Sequence, residues 1–180
     1  MDYVTTGLQD DLDPRINGFP RRELTVLTGE SMILHQTWVS EQVKHNDASV
    51  LSTLRPSSRL SQQLPDETEF HAGDIEAGLE ELNFDGDAVV IESDDTIPME
   101  QLLSKAENHD VAVILVTLDP SEAVLYTASI VLQVTHEKDL SKNLYKTYLI
   151  IKKHIHQEPK DTILTLNHNP EPSVELRKKA

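Results

Sequence analysis

The sequence predicts a three-layer α/β domain with a mostly parallel central sheet and a C-terminal antiparallel β extension. Three observations support this fold class. Short apolar runs alternate with segments of helical spacing through the first two thirds of the chain. After Pro120 this alternation gives way to β-rich runs. A chain of 180 residues, 38% hydrophobic and 26% charged, suits one sizeable core. We therefore predict a single domain over residues 1–180, with a lead-in segment at 1–23 and a β-rich extension at 128–180.

The first two thirds of the chain supply the alternating strands and helices. The lead-in carries strong turn signals at Asp13-Pro14 and Asn17-Gly18, so we expect it to be irregular. Candidate N-caps precede two of the helices, at Ser31 and Asp74, and Pro98 opens another helix. In order, the predictions are a strand at Leu24–Thr28, a helix at Met32–Val43, a strand at Ala48–Leu54, a helix at Ser57–Leu64, a helix around Ile75–Leu82, a strand at Ala88–Ile91, a helix from Pro98 to about Asn108 and a strand at Val111–Val116.

The last third of the chain is predicted to be an antiparallel extension at one edge of the sheet. Only loops or a short helix separate its β-rich runs, as in hairpins. Lys152, Lys153 and Lys160 would then guard an exposed edge strand. The predicted strands are Ala128–Val134, Thr147–Lys152, Thr162–Leu166 and a short strand at Val174–Leu176.

The formal net charge of −15 is distributed unevenly along the chain. Residues from Lys138 onward carry nine Lys/Arg against five Asp/Glu, whereas the preceding residues carry seven against twenty-six. The acidic body disfavours nucleic-acid binding, which depends on neutralising phosphates. It fits either the solvated surface of a halophilic protein or a docking face for a basic partner. The basic C-terminal part could contact an acidic partner or form a solvated strand edge.

The cellular compartment is predicted from three features that are absent from the sequence: a membrane span, an export signal and cysteine. No apolar run reaches the 18 residues of a membrane span, and the N-terminus shows no basic segment followed by an apolar one. The chain contains no cysteine, so disulfides and thiolate chemistry are excluded. We therefore expect a cytoplasmic protein with no membrane span.

Short motifs near the N-terminus occur in a recognisable order. Thr5-Thr6-Gly7 and Leu12-Asp13 precede Asn17-Gly18-Phe19-Pro20, and the strand Leu24–Thr28 leads into Gly29-Glu30. This order resembles the start of RecA-superfamily domains of the KaiC type, and within them the archaeal archaellum ATPase family FlaH. These families read T-G, L-D, G-G-G-(I/L)-P, a strand, then G-(E/G)-x-x-x-G-K-(S/T). The resemblance implies a RecA-like, P-loop NTPase fold that binds ATP and Mg²⁺ and assembles side by side.

The phosphate-binding loop of this chain departs from the family motif. A working P-loop needs glycine backbone amides around the phosphates, a Lys, and a Ser/Thr hydroxyl for Mg²⁺. Counted from Gly29, these positions fall on Leu34, His35 and Gln36. The resemblance therefore implies a degenerate nucleotide site, or degenerate Walker A motif, with these candidate residues: Gly29, Glu30, Ser31, His35 and Gln36.

The acidic residues of the family's active site are only partly present. Relatives of the KaiC type carry catalytic carboxylates after the second strand, where this chain reads Leu54-Arg55-Pro56-Ser57. Glu92 falls at the end of the Walker B strand, and with Asp94 and Asp95 it could hold Mg²⁺. A solvated acidic turn is the alternative interpretation of these three residues.

Histidines and one tryptophan give further candidates. His154 and His156 are two residues apart and could bind a metal with His136 or His168, although paired surface histidines are common. Trp38 belongs to the core of the first helix or marks a partner surface. No G-x-S-x-G motif supports a serine hydrolase.

These observations lead to one functional hypothesis and one alternative. We predict a non-catalytic RecA/KaiC-like protein, a pseudo-ATPase without catalytic residues or a bound cofactor. It acts as a regulatory or scaffolding module that binds a related ATPase or a second copy of itself. The alternative is a nucleotide-binding ATPase or sensor that uses ATP and Mg²⁺ at a non-standard site of His35, Glu92, Asp94 and Asp95. A DNA-associated role is disfavoured by the acidic body.

Overall fold

The computed structural model describes residues 2–6, 12–29, 43–54, 64–139, 144–158, 162–168 and 174–178. Its elements, in chain order, are β1 Tyr3–Val4, α1 Asp13–Ile16, β2 Phe19–Pro20, β3 Leu24–Gly29, β4 Ala48–Ser52, β5 Phe70–Ala72, α2 Ile75–Glu81, β6 Ala88–Glu92, α3 Met99–His109, β7 Ala112–Thr117, α4 Glu122–Thr127, β8 Ile130–Asp139, β9 Leu144–His154, β10 Ile163–His168 and β11 Val174–Lys178. No helix among the described residues is long and apolar enough to cross a membrane.

One large mixed sheet organises the described elements. Its nine strands follow the order β11-β10-β9-β8-β3-β7-β6-β4-β5. The six strands from β8 to β5 run parallel, and β9, β10 and β11 add to β8 as an antiparallel extension. Among the described connections, α2 lies between β5 and β6, α3 between β6 and β7, and α4 between β7 and β8, as is usual for crossovers between parallel strands. The predicted fold class is thus confirmed.

Two hydrophobic clusters cover the two faces of the sheet. Successive residues of each buried strand point to opposite faces, so Val89 and Ile91 join one cluster while Ala88 and Val90 join the other. The first cluster includes apolar residues of α2, α3 and α4, whereas the second includes residues of the lead-in such as Phe19. Together the sheet and its two coverings give the predicted three layers.

The lead-in segment is more ordered than the sequence indicated. Instead of an irregular chain, β1 pairs with β2 and α1 lies between them. Leu12, Ile16 and Phe19 are almost completely buried. The Asp13 carboxylate accepts hydrogen bonds from the Thr5 hydroxyl and, at 2.8 Å, from the Thr6 N–H. The turn signals were correct, but the contacts that order the segment reach across to the core.

Lys152 and Lys153 lie near the end of β9, which pairs with β8 up to His154 but with β10 only from Thr147 to Ile150. The interpretation of these lysines as guards of a strand edge therefore stays a prediction. Lys153 Nζ donates to the carbonyls of Leu125 and Tyr126 at 3.0 and 2.9 Å. These carbonyls belong to the last turn of α4, where backbone C=O groups have no hydrogen-bond donor within the helix. Lys153 therefore caps a helix, and Lys160 lies outside the described residues.

Most element positions were predicted correctly, but several boundaries differ. Asp74 caps α2 as expected, because its carboxylate accepts from the Ala77 N–H at 3.0 Å. The strands β8 and β9 are ten and eleven residues long, longer than the apolar runs that predicted them. The helices expected at Met32–Val43 and Ser57–Leu64 lie almost entirely outside the described residues.

Candidate functional site

Four parallel strands end at the same edge of the sheet and bring their polar terminal residues together. Ser52 of β4 lies opposite Glu92 of β6, and Thr28 of β3 lies opposite Thr117 of β7. Ligands of open α/β sheets bind outside the carboxyl ends of the strands. We name this edge the carboxyl edge and define it by residues 28–29, 52–54, 92–95 and 117–119.

Glu92 is the buried acid of the carboxyl edge. The residue is only 1% exposed. The Ser52 hydroxyl donates to Glu92 Oε1 at 3.0 Å, and the Thr53 N–H donates to the Glu92 carbonyl at 2.9 Å. The Ser52 bond offsets part of the cost of desolvating a carboxylate in the interior, and the Thr53 bond holds the Glu92 backbone. The neighbouring strand β4 thus fixes the position of Glu92.

Asp94 ties two loops of the carboxyl edge together. Its Oδ1 accepts from the Thr117 hydroxyl at 2.6 Å and from the N–H groups of Leu118 and Asp119 at 2.7 and 3.4 Å. Asp95 is exposed, and its N–H donates to the Ser93 hydroxyl at 3.1 Å. The carboxylate of Asp94 is therefore already engaged by the turn that follows β7.

The described residues contain no group of three His, Asp or Glu side chains that could hold a metal ion. Glu92, Asp94 and Asp95 follow one another closely in sequence, but Glu92 is buried against β4 while Asp94 is directed at the turn after β7. The metal role of these three residues stays a prediction.

His154 and His156 contact different partners. Their rings are 6.1 Å apart, centre to centre. His154 Nε2 lies 3.1 Å from the Ile16 carbonyl oxygen, and His156 Nε2 lies 2.6 Å from Glu23 Oε2. The two side chains thus connect the end of β9 to the lead-in and to the start of β3.

The close packing of β3 against β8 requires a glycine at position 29. Its φ is +138°, and a Cβ atom at this position would come within 2.2 Å of the Val134 carbonyl oxygen of β8. Close approach of two strand backbones therefore requires glycine here, whatever the following loop does. Four other predicted site residues, Glu30, Ser31, His35 and Gln36, lie outside the described residues, as does Trp38.

The described part of the carboxyl edge holds no cationic side chain that could neutralise a nucleoside triphosphate. Its charged side chains are the carboxylates of Glu92, Asp94, Asp95 and Asp119, and Lys or Arg is absent from these described positions. Phosphates are held by backbone N–H groups and cationic side chains. Carboxylates and hydroxyls are instead the donor set of a hard cation such as Mg²⁺.

One cavity opens at the carboxyl edge. It has a volume of about 240 Å³, and its lining includes Asp94, Asp95, Ile97, Thr117 and Val124. Ligand pockets typically enclose roughly 300–1,000 Å³. This cavity is therefore small for a nucleotide.

Two larger cavities lie away from the carboxyl edge. One of about 390 Å³ adjoins Asp47 and Gly86, at the opposite ends of β4 and β6. Another of about 510 Å³ adjoins Arg21 and Arg22, whose guanidinium groups pair with Asp87 at 2.5 Å and with Asp110 at 2.7 Å. The Asp110 contact raises the pKa of Arg22 through its hydrogen bond and its charge. Since both cations already have acidic partners, the second cavity offers no ready anion site.

The sequence interpretation missed the hydroxyl groups of the carboxyl edge. Ser52 holds Glu92, the Thr53 and Ser93 hydroxyls lie 2.6 Å apart, and Thr117 donates to Asp94. A signal was present, because a short polar residue ends or follows each of these apolar runs. Its meaning depends on strand order, which places β4, β6 and β7 side by side.

Comparison with known proteins shows similarity at the level of the fold. No known protein family matches the sequence, and no curated protein matches it. The flagellar accessory protein FlaH from Methanocaldococcus jannaschii aligns with a TM-score of 0.69 at 13% identity, over 93% of this chain and 95% of FlaH. A KaiC-like protein from Pyrococcus horikoshii OT3 aligns with a TM-score of 0.73 at 16% identity, over 97% of this chain and 98% of that protein. The chain therefore has the RecA/KaiC-like fold that its N-terminal motifs predicted.

Proposed function

We propose that this RecA/KaiC-like chain is a non-catalytic cytoplasmic module that regulates or scaffolds other proteins by binding a related ATPase or a second copy of itself. The observation that carries the proposal is the composition of the carboxyl edge. At the edge of the sheet where an ATPase of this fold binds its nucleotide, the described polar side chains are all carboxylates and hydroxyls.

The loop sequence supports the same conclusion. A P-loop neutralises the triphosphate with a Lys and with a nest of backbone N–H groups, and a Ser/Thr hydroxyl completes the Mg²⁺ site. After Gly29 the chain reads Glu-Ser-Met-Ile-Leu-His-Gln, so the Lys and Ser/Thr positions fall on His35 and Gln36. A histidine is uncharged for most of the time near pH 7 and cannot replace the lysine.

A hydrolytic base is also missing after β4. The strand is followed by Thr53, Leu54 and Arg55, so no carboxylate stands there to activate water. The Thr53 hydroxyl is within hydrogen-bond distance of Ser93, and Ser52 is bonded to Glu92. These groups stabilise the edge and are not free to act on a substrate.

The chain keeps the fold although its loop departs from the nucleotide-binding motif, so we assign its function to binding through its surface. Fold alone does not give function, which resides in particular sites and surfaces. The body before Lys138 carries a large excess of acidic residues, which suits contact with a basic partner surface. Domains of the RecA type commonly assemble side by side, so a related ATPase or a second copy is the partner that we propose.

A nucleotide titration tests the non-catalytic part of the proposal. Mg-ATP, Mg-ADP and Mg-GTP would be titrated into the full chain by calorimetry and thermal shift, with an intact-motif ATPase of this fold as positive control. Ligand at about a hundred times its Kd would stabilise the chain by about 2.7 kcal/mol, or roughly 5–10 °C in Tm. We expect no shift up to millimolar nucleotide, and a clear shift would overturn the proposal.

A nucleotide sensor is the second candidate function. The burial of Glu92 at the Walker B position favours it, because a carboxylate fixed there could help to hold Mg²⁺. It predicts saturable, Mg²⁺-dependent ATP binding that Glu92→Gln removes. That variant keeps the oxygen that accepts from Ser52, so the local structure should persist. Glu76→Gln, on the exposed side of α2, is the matched control and should bind like the wild type.

The partner part of the proposal requires a separate assay. Purified chain would be added in increasing amounts to a KaiC-type ATPase from the same organism, and ATP turnover followed. We expect a saturable change in turnover, in either direction, at a fixed stoichiometry. Unchanged turnover together with no detectable complex would restrict the proposal to self-association.

A further inference from the structure

The strand β11 forms one edge of the nine-stranded sheet. Among the described strands it has a single neighbour, β10, to which it pairs antiparallel from Val174 to Lys178. Its other side therefore presents backbone N–H and C=O groups that no described strand pairs with. Such an edge is a template for pairing with another chain. The opposite edge, β5, spans only three residues and offers much less.

The sequence of β11 is self-complementary about its central residue. The strand reads Val-Glu-Leu-Arg-Lys with Leu176 in the middle. Antiparallel pairing with a second copy, about a two-fold axis through Leu176, places Leu176 opposite its own equivalent. The same register places Glu175 opposite Arg177 of the second copy, and Arg177 opposite Glu175 of the second copy. Opposite charges at directly facing positions stabilise a sheet, whereas like charges destabilise it.

The register within the chain shows which face the remaining positions share. Leu166 lies opposite Leu176, and its neighbour two positions back, Leu164, lies opposite Leu149 of β9. Leu149 is completely buried in a core cluster. Because directly opposite residues share a face of the sheet, the positions of Leu164, Leu166 and Leu176 continue the core face toward the edge. Pairing of two copies would join these two faces.

We propose that β11 is a self-association edge through which two copies of this chain pair into one continuous sheet. This inference rests on the proposed interaction function and names its surface. Edge strands that avoid pairing carry charges that repel an approaching copy or bulges that interrupt the ladder. In β11 the opposite charges at positions 175 and 177 flank the centre symmetrically, so an approaching copy meets attraction.

A two-fold arrangement also limits the size of the assembly. Pairing of β11 with its own equivalent is isologous, so it closes at a dimer. Pairing of β11 with β5 of another copy would be heterologous and would add chains without limit. The short β5 could offer only three residues to such a contact.

Charge exchange in the full chain tests this register. The dimer Kd would be measured by sedimentation for the wild type, Glu175→Arg, Arg177→Glu and the variant carrying both changes. We expect each single variant to raise the Kd by about tenfold or more, since two facing pairs become repulsive at once. The combined variant restores both pairs and should return the Kd to near the wild-type value. Glu76→Arg, on α2, changes the net charge by the same amount as Glu175→Arg and should leave the Kd unchanged.

A thiol introduced into this cysteine-free chain gives a second, direct readout. Facing residues of an antiparallel pair have Cα atoms about 4.5–5.5 Å apart, within disulfide range. Leu176→Cys should therefore form a disulfide-linked dimer under mild oxidation. Glu175→Cys should not, because its equivalent lies two positions along the partner strand, beyond about 7 Å.

The outcomes separate this inference from the proposed function. A wild-type chain that stays monomeric at high concentration overturns self-pairing and leaves the nucleotide and partner tests unaffected. A dimer indifferent to both charge changes, or linked equally by both thiols, places the contact elsewhere and also overturns it. Circular dichroism of each variant would confirm that the fold is retained.

Discussion

Asp94 accepts hydrogen bonds from a threonine hydroxyl and two backbone N–H groups through one carboxylate oxygen. That geometry uses the oxygen as an acceptor, and an asparagine oxygen can replace it. We predict that Asp94→Asn keeps the free energy of unfolding within about 0.5 kcal/mol, whereas Asp94→Ala lowers it by about 1–2 kcal/mol. Urea denaturation measures both. Equal losses in the two variants would contradict a hydrogen-bonding role and indicate that the negative charge itself matters.

The Asp94→Asn variant also examines the predicted metal role of this edge. If Glu92, Asp94 and Asp95 hold Mg²⁺, the wild type should melt at a higher temperature in Mg²⁺ than in EDTA, and Asp94→Asn should lose that difference. A role limited to internal hydrogen bonds predicts the same melting temperature in both solutions for either protein.

Gly29 offers a residue-scale prediction with a matched control. Gly29→Ala adds an unfavourable positive φ and a Cβ clash with the Val134 carbonyl at 2.2 Å. Gly73 has a similar φ of +132°, but a Cβ added there would have nothing within 4 Å. We expect Gly73→Ala to cost about 1 kcal/mol, from backbone strain alone, and Gly29→Ala to cost at least about 2 kcal/mol. Chemical denaturation compares them, and equal costs would show that β8 moves aside easily.

Gly29 also shows how far sequence reasoning reached at single residues. The motif placed it correctly at the end of a strand, and its assignment to a nucleotide site stays a prediction. The packing reason lies in Val134, a residue distant in the chain, and no local pattern reports such a contact. Glu92 was found because it ends an apolar run, whereas its partner Ser52 became recognisable only once β4 and β6 were known to be neighbours.

At the scale of elements, prediction succeeded where burial leaves a periodic pattern. The strands β6 and β7 are nearly continuous apolar runs because both of their faces are covered, and α2 and α3 keep apolar residues at helical spacing. The sequence did not predict the structure of the lead-in, since α1 has only four residues and cannot be stable alone. Its order comes from contacts with β9 and with the core, which the local sequence does not encode.

A clamp from the end of β9 satisfies the last carbonyls of α1. Gln157 Nε2 donates to the Arg15 carbonyl at 2.6 Å, and His154 Nε2 faces the Ile16 carbonyl at 3.1 Å. The His156 N–H donates to His154 Nδ1 at 3.3 Å, so Nδ1 must be unprotonated. The ring is therefore neutral with its proton on Nε2. If Nδ1 were protonated, its N–H would face the N–H of His156, and this hydrogen bond would be lost because both groups are donors.

The clamp predicts a pH dependence of stability. Burial lowers the pKa of His154, opposed in part by its bond to Ile16 and by the charge of Glu23, while the neighbouring His156 lowers it further. The unfolded chain thus binds a proton at higher pH than the folded chain does. The free energy of unfolding should fall as pH drops below about 6.5, until the folded-state pKa is passed.

Two variants isolate the contribution of His154. His154→Gln should flatten this slope below about pH 6.5, because the neutral amide can donate to Ile16 without titrating. Gln157→Ala removes a clamp bond but no titratable group, so it should lower stability at every pH and keep the wild-type slope. Urea midpoints across this pH range measure both effects. A wild-type slope in His154→Gln would assign the pH dependence to other groups.

At the scale of the whole molecule, one sheet joins two parts of different charge. The parallel body and its helices carry nearly all of the acidic excess, and the antiparallel extension carries a basic excess. Sequence alone established this asymmetry, since charge counts need no fold. It left open whether the acidic surface is an adaptation to high salt or a docking face, because both interpretations place the same residues in contact with water.

Salt dependence distinguishes these two interpretations. Mutual repulsion within a chain of net charge −15 should destabilise the folded state at low ionic strength. Simple screening should relieve most of this repulsion by roughly 0.5 M NaCl, where the Debye length falls to about 4 Å. Adaptation to high salt should instead give stability that keeps rising into the molar range. Urea midpoints in NaCl from roughly 0.05 to 3 M would follow the difference, because urea itself is uncharged.

A neutralised variant makes the salt experiment specific to surface charge. Glu76 and Glu80 are exposed on α2, within the acidic stretch between Pro65 and Asp87. We predict that Glu76→Gln/Glu80→Gln raises the urea midpoint at about 0.05 M NaCl and shows a shallower dependence on salt, because less repulsion remains to be screened. A urea midpoint that stops rising near roughly 0.5 M NaCl would support the interpretation of the acidic body as a docking surface for a basic partner. A midpoint that climbs through about 3 M in wild type and variant alike would assign it to high-salt adaptation, and the partner would then be sought on the basic extension.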